Sequence, residues 1–325
     1  MSETSMTSPA AATLVAAPEI SIVIPVYNES ANLPLLFERL TAVADKMGRR
    51  IEIVFTDDGS KDNSLAILKT FVDKRPDLIR VVEFDRNYGQ HMAVMAGFET
   101  ARGEIIVTLD ADLQNPPEEI PKLIAEMDAG HDVVGSYRRD RQDSVFRTLP
   151  SRLVNLVREK ITGIKMRDQG CMLRAYRRGI VRIIVESGET STFIPALAQF
   201  YAENPAEVEV EHAARHAGTS NYNLYRLLRL NFDLMTGFSL VPLQLFTMVG
   251  MGVSAASLLL VFYMVLRRIF IGPEVEGIFT LFAILFFLLG VVITGLGIVG
   301  EYVGRIYQQV RSRARFRIRT IHEKT

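Results

Sequence analysis

Two stretches without a single charged residue, Leu243–Leu266 and Ile278–Gly300, set the terms for this chain of 325 residues. Each is long enough to cross a hydrocarbon core of about 30 Å at about 1.5 Å per residue. The linker between them, Arg267–Gly277, is short and carries Gly272-Pro273. A C-terminal two-helix transmembrane hairpin with both ends on one side is predicted. The alternative, a pair of buried core helices, is usually built from shorter apolar runs. Arg305, Arg311, Arg313, Arg315, Arg317 and Arg319 follow the hairpin, and Arg226 and Arg229 precede it. These bias both ends toward the cytoplasm; Arg267 and Arg268 pull the other way and can snorkel to the far headgroups. Gly290, Gly295 and Gly297 allow close helix packing and self-association. Within Asn223–Leu234, Leu224, Leu227, Leu228 and Leu234 recur at helical spacing among arginines, the pattern of an amphipathic interfacial helix or of an ordinary core-facing one.

The preceding half alternates. Strand patterns at Ile20–Val26, Ile51–Thr56, Val81–Phe84, Glu104–Leu109 and Asp132–Ser136 are separated by helical ones at Glu29–Asp45, Ser64–Val72 and His91–Ala101. This predicts an α/β domain whose mostly parallel sheet is covered by helices. Ligands of such sheets sit at the carboxyl ends of the strands. Polar clusters fall there four times: Tyr27-Asn28-Glu29, Asp57-Asp58-Gly59-Ser60, Asn87 to His91, and Asp110-Ala111-Asp112.

The organisation expected is a disordered extension (1–18), a catalytic domain (19–221), an interfacial helix (222–242), the hairpin (243–300, spans 243–266 and 278–300) and a basic cytosolic tail (301–325). The first 18 residues hold no Lys, Arg or long apolar run, unlike a signal peptide. Lys+Arg and Asp+Glu are both 37, which argues against a general polyanion binder; the short basic tail beside a span suits anionic lipid better than nucleic acid. The lone Cys171 excludes an intramolecular disulfide and a Cys-cluster zinc site, and reads as a small buried hydrophobe. No dinucleotide or phosphate-loop glycine motif follows a strand, and His91 and His216 have no metal-ligand spacing.

In an extended segment Asp110 and Asp112 point to one side, and Gln114 is again in phase. Hard oxygen ligands of this kind suit Mg²⁺ or Mn²⁺, and such a metal stabilises the charge that develops on a nucleoside diphosphate leaving group.

Ile24-Pro-Val-Tyr-Asn-Glu29, Asp57-Asp-Gly-Ser60 and Asp110-Ala-Asp-Leu-Gln114 resemble family 2 inverting glycosyltransferases of the GT-A fold. The likeness covers nearly the whole chain, hairpin included, and is nearest to polyisoprenyl-phosphate glycosyltransferases. Asn87–His91, Asp110–Pro121, Gly170–Arg178 and Ser191–Pro195 narrow it to the branch that moves 4-deoxy-4-formamido-L-arabinose from UDP to undecaprenyl phosphate in lipid A modification. The resemblance implies that Pro25, Tyr27 and Glu29 line the nucleoside pocket. Asp57 accepts from the uracil, Asp58 serves the ribose or the pocket floor, and Asp110, Asp112 and Gln114 hold Mg²⁺ or Mn²⁺. Arg138 and Arg147 fall near phosphate-binding positions. Arg215, Ser220 and Tyr222 match a segment that contacts phosphate near the membrane, with Asn221 where Lys is usual. An acidic residue near Asp168 faces the sugar, which makes Asp168 an orienting group or a weak base; a turn-forming Asp has the same local signature. A homotetramer is also implied.

A lipid monophosphate carries about −1.5 to −2 charge at neutral pH and is already a nucleophile, so no strong general base is required. A processive polysaccharide synthase is disfavoured, because the tryptophan of its chain-gripping motif is missing from a chain with no Trp. Transfer of another sugar to the same lipid, or a non-catalytic nucleotide-binding scaffold, are the remaining readings.

Overall fold

Ile20–Val26 (β1) is buried at every position, so it needs cover on both faces and belongs in the middle of a sheet. In the structure, a computed structural model that describes residues 17–138, 166–168, 170–187, 193–211, 236, 239–272, 278–310 and 314–324, it does. Ile51–Asp57 (β2), Ile79–Phe84 (β3), Ile105–Thr108 (β4), Val133–Arg138 (β5), Arg174–Arg177 (β6), Pro205–Val210 (β7) and Ile318–His322 (β8) complete an eight-stranded sheet of order β7-β5-β6-β4-β1-β2-β3-β8. β1 pairs in parallel with β2 and β4, and β2 with β3. Strand β6 runs antiparallel between β4 and β5.

Helices close both faces. Leu33–Met47 (α1), Ser64–Lys74 (α2) and Ile120–Asp128 (α4) cover one, where Leu36, Leu40, Phe71 and Met127 pack on Ile22, Ile24 and Phe55. Gln90–Thr100 (α3), Arg178–Glu186 (α5) and Ile194–Tyr201 (α6) cover the other with Val94, Phe98, Ile184 and Leu197. α3 lies so near β1 that a Cβ on Gly97 would sit 2.2 Å from Val23 Cγ1. That approach sets the C-terminal half of α3 directly on the middle of β1.

Two long helices follow, Val241–Phe270 (α7) and Ile278–Val310 (α8). Within α8, Ile284–Gly304 has a mean hydropathy of 2.3 and is long and apolar enough to cross a membrane. Both helices run past the uncharged stretches, α8 by ten residues beyond Gly300. They touch where Gly295 faces Phe246, whose ring would lie 2.2 Å from an added Cβ, and where the Tyr302 hydroxyl donates to Ser239 O at 2.7 Å. Gly295 therefore serves packing inside the chain, while a Cβ at Gly290 or Gly297 would meet nothing within 4 Å. The expected interfacial helix at Asn223–Leu234 lies outside the described residues.

The basic tail is more than a charged arm. Its last strand, β8, pairs antiparallel with β3, register Val81↔His322, Val82↔Ile321, Glu83↔Thr320 and Phe84↔Ile318. Phe316, Ile318 and Thr320 alternate with Arg317 and Arg319, a strand pattern partly hidden by the arginines. Those charges have partners: Arg319 and His322 reach Glu83 at 3.0 and 2.8 Å, and Glu323 reaches Arg80 at 2.8 Å.

Candidate active site

The four loops after β1, β2, β3 and β4 are stitched to one another. Asn28 donates from its backbone to Ser60 Oγ at 3.1 Å and accepts from Lys61 N at 2.8 Å, which fastens the first loop to the second. Asn28 has a φ of 56°, and this side-chain bond helps it hold a left-handed conformation. Glu29 N donates to Ser64 Oγ at 2.9 Å. Asp62 accepts from Ser64 and Ser30; against the opposing effect of burial, those bonds hold its carboxyl down at about 2.

Asp58 fastens the second loop to the third. Its carboxylate accepts from Tyr88 N at 2.6 Å, Gly89 N at 2.8 Å and Asn87 Nδ2 at 2.9 Å. Burial pushes this carboxyl up, and the Tyr88 and Gly89 amides oppose the rise. Asp57, 1% exposed, accepts from Ser60 N at 3.2 Å through Oδ2, and its buried Oδ1 has no hydrogen-bond partner among the described residues. Burial raises its carboxyl too, with Ser60 opposing. Gln90 fastens the third loop to the fourth by donating to Asp110 Oδ1 at 2.8 Å.

Gly59 makes this contact possible. Its φ is +64°, and an added Cβ would stand 2.5 Å from Arg86 C and 2.7 Å from Asn87 N, both backbone atoms. Gly59→Ala is expected to destabilise the protein by about 3 kcal/mol, from the left-handed backbone and the overlap together. Denaturant unfolding of the detergent-solubilised protein checks it.

The loops enclose a cleft of about 430 Å³. Pro25, Val26, Tyr27 and Glu29 line it from the first loop, Asp58 from the second, Asn87, Gly89 and Gln90 from the third, and Asp110, Ala111 and Asp112 from the fourth. Of the expected nucleoside pocket, Pro25, Tyr27, Glu29 and Asp58 line the cleft. Asp57 lies buried at the strand end behind it.

The Asp110–Gln114 segment is not extended, which corrects the in-phase argument for Gln114. β4 ends at Thr108, the chain turns from Ala111, and Leu113 has a φ of 61°. Gln114 contributes its backbone N–H to Asp112 Oδ1 at 3.1 Å and does not line the cleft. Among the described residues no group of three or more His, Cys, Asp or Glu side chains is gathered for a metal. A Mg²⁺ or Mn²⁺ ion that draws one or two carboxylates from the protein and the rest from phosphates and water does not need such a group, so the Asp110 and Asp112 pair fits the ion.

Arg138 and Asp168 come together, but with each other. Arg138 Nε and Nη2 donate to Asp168 at 2.6 and 3.1 Å, and Gly170 N adds a bond at 2.9 Å. Arg174, 1% exposed, holds the segment from behind by donating to Asp168 O at 2.7 Å and Cys171 O at 3.0 Å. Cys171 is buried as expected and touches Ser136 Oγ and Asn115 Oδ1. Arg147, Arg215, Ser220 and Tyr222 lie outside the described residues. Sequence reasoning missed the Arg138–Asp168 pair and the Gln90–Asp110 bond, because neither partner is near the other in the chain.

His91, in the first turn of α3, is held down at about 4 by burial, with Arg315 adding to the effect. An unfolded histidine titrates near 6.5, so on acidification the unfolded state binds the proton first. Stability is full above about pH 6.5 and falls by up to about 3 kcal/mol as pH drops toward 4. His91→Gln is expected to flatten that acid slope, read from thermal midpoints at about pH 7 and pH 5.

The chain as a whole is similar to known proteins. The chain is 48% identical over 304 residues to the undecaprenyl-phosphate 4-deoxy-4-formamido-L-arabinose transferase of Shewanella sediminis, covering 93% of this chain and 92% of that one. The protein of the same name from Pseudomonas aeruginosa is 48% identical over 308 residues, 94% of this chain and 91% of that one. Among solved structures, Mycobacterium tuberculosis glucosyl-3-phosphoglycerate synthase with Mn²⁺, UDP and glucosyl-3-phosphoglycerate overlaps 67% of this chain and 78% of its own, at a TM-score of 0.47 and 19% identity. The description "Glycosyl transferase family 2" matches residues 21–184, which span the stitched loops and the helices that carry them. With half its length inside that match and its cleft built from those same residues, the chain belongs to glycosyl transferase family 2 and is a glycosyltransferase.

Proposed function

We propose that the protein transfers 4-deoxy-4-formamido-L-arabinose from UDP to undecaprenyl phosphate, with inversion, as a step of lipid A modification. The observation that carries this is the 48% identity over 93% of the chain to transferases of that name, which takes in the cleft and the two apolar helices alike.

Pro25, Tyr27 and Glu29 hold the nucleoside of the donor, and Asp57 supports them from behind. Asp110 and Asp112 would hold Mg²⁺ or Mn²⁺, which when bound would supply positive charge beside the diphosphate leaving group. Gln90 keeps Asp110 oriented. The lipid phosphate attacks the anomeric carbon directly and its own charge makes a strong base unnecessary. Asp168 then acts as an orienting group: its carboxylate is engaged by Arg138, which leaves it a poor proton acceptor. Arg147, Arg215, Ser220 and Tyr222 are the phosphate contacts this reading adds. Helices α7 and α8 form the hairpin in the bacterial inner membrane with the cleft on the cytoplasmic side, in contact with lipid and within a homo-oligomer, a tetramer by resemblance.

A panel of UDP-sugars with undecaprenyl phosphate and Mg²⁺ or Mn²⁺, read as UDP release, tests it. Turnover is expected to be fastest with the 4-formamido-L-arabinose donor. Equal turnover with UDP-glucose would reassign the sugar, equal turnover with a water-soluble sugar acceptor would remove the lipid, and UDP release without stimulation by any acceptor would favour the scaffold.

A further inference from the structure

The C-terminal segment reaches the wall of the cleft by two routes. The Phe316 ring stacks on Phe84, with centroids 5.2 Å apart and planes at 17°. Phe84 meets Tyr88 edge-on at 5.5 Å and 85°, and the Arg86 guanidinium lies 4.9 Å from the Tyr88 ring. Tyr88 sits between Asn87 and Gly89, which line the cleft, and its N–H is one of the three donors to Asp58. The second route is electrostatic. Arg319 and His322 engage Glu83, which is 5% exposed and stands in register with Asp57 across β2 and β3. Glu83 is among the charges that raise the Asp57 carboxyl. Cations on Glu83 screen that repulsion.

We propose that Phe316, Arg319 and His322 are positioning residues of the donor cleft. Phe316 fixes the third loop through Phe84 and Tyr88, while Arg319, together with Lys69 at 3.3 Å, offsets the charge of Glu83 behind Asp57 and His322 holds that carboxylate in place by a hydrogen bond. The inference rests on the reading of the cleft as the UDP-sugar site, and it adds residues far from the cleft in sequence.

The test uses the full chain in detergent. Phe316→Ala is expected to weaken UDP binding in the presence of Mg²⁺ about fivefold, the size of a lost aromatic pair. Donor KM should rise in step while kcat stays nearly constant, and Phe316→Tyr should restore both. Hydrogen exchange at Asn87–Gln90 should quicken, with β1 and α1 unchanged. Lys324→Ala, in the same segment but paired with the exposed Asp73, should do none of this. Arg319→Gln should weaken UDP binding without changing the ring contacts. UDP affinity and loop exchange equal to wild type in Phe316→Ala would overturn the proposal. Should Phe316→Ala not fold, Phe316→Leu fills the space without a stacked ring, and wild-type UDP affinity in it has the same force. If the wild type itself binds no UDP, the reading of the cleft fails, and the exchange measurement still decides whether the segment orders the loop.

Discussion

Asp112→Ala is expected to lower sugar transfer by roughly 10²- to 10³-fold, the usual loss when one electrostatic partner of a leaving group is removed. Asp112 lies in the cleft 8% exposed, in the turn after β4, and its Oδ1 accepts from Gln114 N at 3.1 Å. That bond ties the side chain to its own turn. The fold is expected to survive the change, with an unchanged melting point and normal recovery of α7 and α8 in membranes. Radiolabelled donor in detergent measures the loss. Full transfer by Asp112→Ala would remove the metal role from this carboxylate.

Asp58→Ala is expected to fail differently. Three donors from the third loop converge on this 2% exposed carboxylate, and its removal leaves Tyr88 N and Gly89 N without their acceptor and Asn87 Nδ2 with only the Asp58 carbonyl. Bonds to a charged acceptor contribute about 1.5–3 kcal/mol each, and burial of the carboxylate offsets part of that, so a net loss of about 3 kcal/mol is expected. Stability and UDP affinity should fall together, because Asn87 and Gly89 are cleft walls. Asp58→Asn should recover only part, since an amide oxygen cannot serve three donors. Thermal unfolding and UDP titration on the same preparation check it. An Asp58→Ala protein that melts with the wild type and loses only UDP binding would make this residue a ligand rather than a clamp.

The contrast between the two aspartates marks how far sequence carries. β1 to β5 were legible because buried parallel strands leave continuous apolar runs, and the four polar loops announced the cleft by position. β6 was not legible: Arg174 and Arg177 look like surface charges, yet Arg174 is buried and spends its guanidinium on two backbone carbonyls. β7 is short and half-exposed, so its alternation is weak. Asp58 read as serving the ribose or the pocket floor, and its bonds to the third loop stayed hidden because a motif gives the residue and not its partners. Gln114 followed from assuming an extended chain, and a left-handed Leu113 breaks that assumption. Arg138 and Asp168, 30 residues apart, each read as a substrate contact, and only the folded chain shows them occupied by one another.

The position of β8 in the gene order has a consequence for biogenesis. Without it β3 is a bare sheet edge, a row of open N–H and C=O groups that can recruit another chain. The segment that covers it is translated after both apolar helices. At about 5–20 residues per second, the sheet waits some seconds to tens of seconds for its closing strand. The two apolar helices emerge within that window. A ribosome stalled before residue 318 would thus leave a domain with seven of its eight described strands made and its adhesive edge open.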